Sequence, residues 1–89
     1  MMPKFKKKPI VIEAVQFLTA DDEWRVRSFM LETGEESHAI GIPPYALEIA
    51  TLEGKMRVDF GDWVIRGVKN EYYPCKPDIF DATYERVDD

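Results

Sequence analysis

The sequence predicts an α+β fold in which one helix packs on a curved antiparallel sheet or a small open barrel. Three observations lead to this prediction. Several short stretches are rich in β-branched and aromatic residues that alternate along the chain. One stretch, residues 21–33, instead repeats apolar residues at helical spacing. The connections between stretches are short and carry single Gly or Asn residues, as antiparallel hairpins require.

The size and composition of the chain predict a single domain spanning residues 1–89, with residues 1–8 as a basic, flexible tip. A chain of 89 residues buries roughly 60–65% of its unfolded surface, so its core is small. A hydrophobic content of 45% lies well above that of disordered chains. No apolar run approaches the roughly 20 residues that span a bilayer. We therefore expect a soluble protein of the cytosol that has no membrane partner.

Charge is divided unevenly between the tip and the rest of the chain. Four of the twelve basic residues lie in the tip, at Lys4, Lys6, Lys7 and Lys8, and the remaining chain carries 17 acidic residues against eight basic ones. The acidic charge of the remaining chain argues against general nucleic-acid binding. The lysines could contact phosphates, or they could keep an exposed strand edge unpaired.

The first two elements follow from residue pattern. "KPIVIEAVQF", residues 8–17, places apolar residues on both faces and predicts a central strand. In the next stretch Thr19 or Asp21 can cap a helix over residues 21–33, with Val26, Phe29, Met30 and Thr33 facing the sheet before Gly34. Trp24, near the start, is expected to clamp this helix against the strand.

The middle of the chain reads as a loop followed by a meander. A short irregular strand is expected around residues 40–42, and three alternating segments follow in "YALEIAT", "KMRVDF" and "DWVIRGV". Their apolar faces are expected to carry Tyr45, Leu47 and Ile49, then Met56, Val58 and Phe60, then Trp63 and Ile65 opposite Val64 and Val68. Turns at Gly54, Gly61 and Asn70 predict positive φ angles at these three positions.

The stretch "YYPCKPDIFDATYERV", residues 72–87, predicts one helical turn and a final strand. Pro74 and Pro77 restrict the backbone, and Asp78 is placed to cap a turn that ends at Phe80. Ile79 and Phe80 are expected to close the core, Cys75 to fill a small buried space, and "TYERV" to form the last strand.

Both ends of the chain resemble a family of small proteins of tailed bacteriophages and prophages. The resemblance rests on the opening "KKPIVIEAVQF" and on "GDWVIRGVKNEYYPCKPDIFDATYERV", residues 61–87, about two fifths of the chain. Asn70 stands where the family pattern has glycine, a conservative change if the turn needs positive φ. The resemblance implies a phage or prophage origin and the bacterial host cytoplasm, but no reaction.

The residues that carry chemistry do not assemble into a recognisable catalytic or metal motif. His38 and Cys75 are the only residues of their types, and neither has a partner at zinc-ligand spacing. They could pair as base and nucleophile, or be a loop residue and a small buried side chain. Asp59, Asp62, Asp78 and Asp81 could supply an acid–base pair, yet each also stands where a turn or cap needs a carboxylate. We expect no enzymatic activity and no cofactor.

A ligand surface is predicted where cations and aromatic rings alternate. Cations beside aromatic rings suit a flat anionic ligand such as a nucleotide, although the rings could equally be core and the cations a solvated face. The candidate ligand-binding residues are Arg57, Trp63, Arg66, Tyr72, Tyr73 and Lys76, with Lys69 nearby.

Two functions are compatible with these observations. The first is a non-catalytic phage accessory protein that binds a host protein or a small nucleotide-like ligand, with countering host defence as one role for such binding. The second is a structural or virion-associated module whose sheet edges assemble into a homo-oligomer.

Overall fold

The computed structural model describes residues 2–32, 39–42 and 45–87. It contains two helices and six strands, and a 3-10 turn at Ala20–Asp22 leads into the first helix. In chain order the elements are β1 Glu13–Gln16, α1 Glu23–Leu31, β2 Ala39–Ile42, β3 Ala46–Thr51, β4 Gly54–Val58, β5 Trp63–Arg66, β6 Tyr72–Cys75 and α2 Pro77–Thr83.

The strands form two three-stranded antiparallel sheets. The first sheet has the order β1-β5-β6 and the second the order β2-β3-β4. The predicted α+β class is therefore confirmed, with two helices where the sequence predicted one. The described strands form no closed barrel.

The first strand lies at a sheet edge, so the prediction of a central strand over residues 8–17 is wrong. β1 begins only at Glu13 and, among the described strands, pairs with β5 alone. The residues before it include Pro9, which lacks an N–H, and the lysines of the tip, and both are typical of chain that does not enter a ladder on two sides. The central strand of this sheet is β5, whose adjacent residues Val64 and Ile65 are both fully buried.

Helix α1 packs as predicted, apart from its tryptophan. Val26, Phe29 and Met30 are buried. Trp24 is 65% exposed, so the predicted clamp is wrong. Each residue advances about 100° around a helix, which puts Trp24 about 200° from Val26 on the opposite face. The helix starts at Glu23, two residues later than predicted, and Thr33 and Gly34 fall outside the described residues.

The predicted meander is divided between the two sheets. β3 and β4 form a hairpin in which Leu47 lies opposite Val58, and both are buried in the core. The chain then leaves this sheet, because the N–H of Gly61 donates to the carbonyl of Phe17 at the end of β1. β5 consequently joins the first sheet, and Tyr45, which was expected in the core, is 70% exposed.

All three predicted turn positions have the expected backbone. The φ angles are +101° at Gly54, +96° at Gly61 and +62° at Asn70. A positive φ is open to Gly without penalty and tolerated best by Asn among other residues. The residue types at these turns therefore predicted the backbone conformation correctly, although the turn at Gly61 joins the two sheets and does not close a hairpin.

The main core lies between α1 and the facing sides of the two sheets. It is formed by Phe17, Val26, Phe29, Met30, Ala39, Leu47, Ile49, Val58, Val64 and Tyr72. The other face of the first sheet is covered by α2, where the ring of Phe80 stacks on Trp63 at 4.1 Å between centroids.

The C-terminal part differs from prediction in two ways. Helix α2 begins at Pro77 and continues to Thr83, so Asp78 lies in its first turn and is not its cap. Residues 84–87 form no strand. The N–H of Tyr84 donates to the carbonyl of Phe80 and ends the helix, and the Tyr84 ring packs on the Phe80 ring instead of on a sheet edge.

Candidate functional site

The residues predicted to bind a ligand do not converge on one surface. Cross-strand neighbours in an antiparallel sheet share a face. In the first sheet Trp63 lies opposite Cys75, while Arg66 lies opposite Tyr72 on the other side of the sheet. Arg57 belongs to the second sheet. The residues predicted to bind a ligand therefore lie in three separate environments.

Arg66 and Tyr72 do meet, but inside the fold. The Arg66 Nε donates to the Tyr72 hydroxyl at 3.2 Å, and its Nη2 donates to the carbonyl of Phe29 at 2.7 Å. The guanidinium lies 4.4 Å from the centre of the Phe29 ring and also pairs with Glu13 and Glu32. This arginine thus satisfies a carbonyl in the last turn of α1, where a cation also complements the helix dipole. It ties β5 to the helix.

Trp63 and Tyr73 face α2 on the opposite side of the first sheet. The rings of Trp63 and Phe80 are nearly parallel, at an angle of 6°. Burial, followed by a hydrogen bond with Tyr84, raises the pKa of Tyr73. That same bond with Tyr73, together with the ammonium of Lys7 at 3.1 Å, lowers the pKa of Tyr84. These aromatic rings are engaged with the C-terminal part of the chain.

Arg57 and Lys76 are joined through carboxylates. Arg57 Nε pairs with Asp59, and Lys76 Nζ lies 3.3 Å from Asp59 and 3.0 Å from Asp62. The hydrogen bond from Arg57, assisted by Lys76, lowers the pKa of Asp59. The hydrogen bonds to Asp62 and Asp59 raise the pKa of Lys76. Both cations are therefore neutralised locally.

The carboxylates serve turns, as the sequence analysis allowed. Asp62 is 3% exposed, and its Oδ2 accepts the N–H of Asp59 at 2.9 Å while its own N–H donates to the Asp59 carbonyl. Asp78 lies in the first turn of α2, where a negative charge is favourable. Asp81 lies on the same helix.

Cys75 is not activated by its neighbours. Burial, and then the charges of Asp62 and Asp78, raise the pKa of its thiol. The ammonium of Lys76 points to the two aspartates, and only its backbone carbonyl meets the thiol. His38 lies outside the described residues, so the suggested pairing with Cys75 is untested. Within the described ranges no three His, Cys, Asp or Glu residues cluster as metal ligands would.

The sequence analysis missed a cleft that opens between the 3-10 turn and the second sheet. We call it the aromatic cleft; it has a volume of about 290 Å³ and is lined by Phe17, Ala20, Glu23, Gly41, Ile42, Tyr45, Ala46, Leu47 and Phe60. The Phe60 ring lies 5.0 Å from Phe17 and 6.5 Å from Tyr45, so the three rings form a row. They come from three distant parts of the chain, and no local sequence pattern predicts that they lie next to one another.

A carboxylate faces this row of rings. A Cβ placed at Gly41 would lie 2.6 Å from Oε1 of Glu23, so the absence of a side chain at Gly41 leaves room for the carboxylate. Glu23 also pairs with Arg27 at 3.4 Å. Asp21, which follows the lining residue Ala20 in the sequence, is exposed. The cleft therefore combines apolar walls with the Glu23 carboxylate in its lining.

A second cleft, of about 380 Å³, lies between the β3–β4 hairpin and β6. Its walls are Thr51, Leu52, Glu53, Met56, Glu71, Tyr72, Tyr73 and Pro74. The charged residues in its lining are Glu53 and Glu71, both acidic. Tyr72 and Tyr73 border this cleft, but the predicted cations do not.

Comparisons with known proteins add no relative: no family model matches the chain, and neither the curated proteins nor the solved structures give a match. Among the helices of the described residues, none has the length and apolar character needed to cross a bilayer.

Proposed function

We propose that this chain is a non-catalytic accessory protein of bacteriophage or prophage origin that binds a host protein in the bacterial cytoplasm. The resemblance of its two ends to small proteins of tailed phages supports the origin. The aromatic cleft supports the binding role and is the observation that carries the proposal.

The cleft has the composition of a protein-binding site. Aromatic residues are enriched in protein interfaces because each offers a large rigid apolar surface. Tyr45 is mostly exposed and Phe60 is 44% exposed, although both belong to a continuous row of rings. Of the two carboxylates in this region, Glu23 already pairs with Arg27 and Asp21 is exposed, and together they favour a partner segment that combines an apolar side chain with a basic one.

A protein partner is better supported than a small anionic ligand. Arg57, Arg66 and Lys76 each pair with carboxylates of the chain itself. An incoming phosphate would have to displace these carboxylates and would approach an acidic surface. The acidic aromatic cleft instead matches basic protein surfaces, with complementary charge increasing the association rate.

Crosslinking in bacteria tests this proposal. Affinity-tagged wild-type protein, Tyr45→Ser and Val68→Ser would be expressed in a host strain, crosslinked and analysed by quantitative mass spectrometry. Tyr45 and Val68 are both largely exposed, so neither change should unfold the protein. We expect a host protein that wild type and Val68→Ser capture equally and Tyr45→Ser loses. Equal capture by all three would reject the cleft as the binding site.

Native mass spectrometry of the same material tests the ligand alternative. If the proposal is correct, the spectrum shows only the mass of the polypeptide or of its protein complexes, with no additional mass of nucleotide size. A stable nucleotide-sized adduct would instead support a small-molecule role.

The second candidate function is a structural or virion-associated module. It is favoured by the sheet edges, since β1 and β2 each pair with a single strand among the described residues. An unpaired strand edge is a template for adding another strand. Proteomic analysis of purified virions separates the two candidates, because an accessory protein should be absent from particles whereas a virion module should be present at fixed copy number.

A further inference from the structure

The basic segment, residues 2–8, exposes an apolar ring among its charges. Phe5 is 92% exposed and is flanked by Lys4 and Lys6, which are also exposed. Exposing a whole phenylalanine ring to water is unfavourable. A ring held on a segment rich in lysine is suited to recognition, because the charges keep the segment in water until a complementary surface is met.

The aromatic cleft is complementary to this segment in both shape and charge. Its apolar walls, Phe17, Tyr45 and Phe60, can receive one aromatic side chain in edge-to-face or offset contact. Glu23, which lines the cleft and pairs with Arg27, and the exposed Asp21 beside the lining residue Ala20 supply carboxylates that complement the lysines flanking the ring. A buried aromatic anchor is the kind of side chain on which interface hot spots depend.

We propose that Phe5 of one copy inserts into the aromatic cleft of a second copy, with Lys4 and Lys6 near the carboxylates of Glu23 and Asp21. This inference rests on the proposed role of the cleft as a protein-binding site, and it adds the occupant that fills the cleft when a host partner is absent. Exchange in both directions gives a symmetric dimer in which each copy supplies one ring and one cleft.

The position of Lys7 explains why the occupant comes from another copy. Its ammonium donates to the Tyr84 hydroxyl at 3.1 Å and lies 4.6 Å from the centre of that ring. Tyr84 packs on Phe80 on the α2 side of the first sheet, whereas Phe17 of the cleft belongs to the core on the other side. Lys7 is therefore held on the side of the first sheet away from the cleft, and Phe5, which is 92% exposed, does not occupy the cleft of its own copy.

Sedimentation equilibrium over a range of concentrations tests the exchange. We expect wild type to dimerise and Phe5→Ser to weaken the dimer at least tenfold. Tyr45→Ser should have a similar effect, and Gly41→Ala gives a second cleft variant because its methyl group displaces the Glu23 carboxylate. Val11→Ser, also in the exposed region before β1, is the matched control and should dimerise like wild type. Circular dichroism establishes that each variant is folded.

Mixing two variants distinguishes exchange from any other dimer. Phe5→Ser retains the cleft and Tyr45→Ser retains the ring, so their mixture should form a heterodimer through one intact contact although each alone is weakened. Wild type that stays monomeric, a dimer unaffected by Phe5→Ser, or a mixture that associates no better than its components would overturn the inference. If wild type is monomeric but Tyr45→Ser still loses its crosslinked host protein, the proposed function stands and only the exchange fails.

Discussion

Replacing Arg66 by methionine should destabilise the protein far more than replacing any exposed cation. Methionine keeps an unbranched side chain of similar length but removes the guanidinium. That group is 12% exposed and contacts the carbonyl of Phe29, the hydroxyl of Tyr72, and the carboxylates of Glu13 and Glu32. The substitution leaves the first two without this donor in a place with little access to water.

The expected magnitude follows from these contacts. Hydrogen bonds from a charged donor to the Phe29 carbonyl and Tyr72 hydroxyl contribute about 1.5–3 kcal/mol, and the cation over the Phe29 ring about 0.5–1 kcal/mol. Glu13 and Glu32 have side chains more than half exposed, so each ion pair contributes about 0.2–1 kcal/mol. Since methionine recovers some packing, we expect the free energy of unfolding to fall by about 2–4 kcal/mol.

Urea unfolding followed by tryptophan fluorescence and circular dichroism measures this loss. Arg57→Met is the matched control, because Arg57 is also on a strand and paired with an aspartate but has a side chain about half exposed. It should lose less than about 1 kcal/mol. At 1 M salt, where screening acts over about 3 Å, the difference between the two variants should persist. A loss below 1 kcal/mol for Arg66→Met, or one abolished by salt, would refute the reasoning.

Three further predictions concern single side chains. Phe80→Ala should lower the free energy of unfolding by about 2–4 kcal/mol in urea titrations, somewhat less than for a fully buried phenylalanine because Phe80 keeps part of its surface exposed. Ile79→Ala, at the exposed neighbour, should lose much less. The pKa of Asp59 is lower in the folded protein than its ordinary value of 3.8. Its ionised form therefore stabilises the fold above that pH, and this contribution disappears as the pH falls through the folded pKa. Asp59→Asn should accordingly flatten the decline of the free energy of unfolding below pH 4. At φ +62°, Asn70→Ala should cost about 1 kcal/mol by thermal unfolding, whereas Asn70→Gly should be neutral or stabilising.

The parts of the fold that were predicted correctly depend on neighbours in sequence. Positive φ at Gly54 and Asn70 follows from the residue itself, and burial of Val26 and Phe29 follows from helical periodicity. Sheet membership does not follow in this way. The segment that begins at Trp63 alternates like its predecessor, but the hydrogen bond from Gly61 to Phe17 transfers it to the other sheet. Such a bond joins residues 44 positions apart, and alternation carries no information about it.

The prediction of the binding residues is limited for the same reason, because it used only neighbours in sequence. Cations and rings interleave along residues 57–76, and sequence alone cannot tell whether a cation meets a ligand or a carboxylate of the chain. The structure directs Arg66 inward to the end of α1 and Lys76 to Asp59 and Asp62. The aromatic cleft was missed because Tyr45 and Phe60 were assigned to the core by alternation, although Tyr45 lies just before β3 and Phe60 lies beyond the end of β4.

The surroundings of each aromatic ring separate structural roles from binding roles. Trp63 packs against Phe80, and Tyr72 packs against Phe29 beneath the guanidinium of Arg66. Tyr45 stacks on one neighbour yet remains mostly exposed, and Phe5 is almost wholly exposed. Burying such a ring would stabilise the chain by about 1.5–3 kcal/mol, a large fraction of the margin available to a small domain. Tyr45 in the aromatic cleft and Phe5 on the basic segment do not make this contribution to the fold, and for that reason they are the two rings on which the proposed binding roles are based.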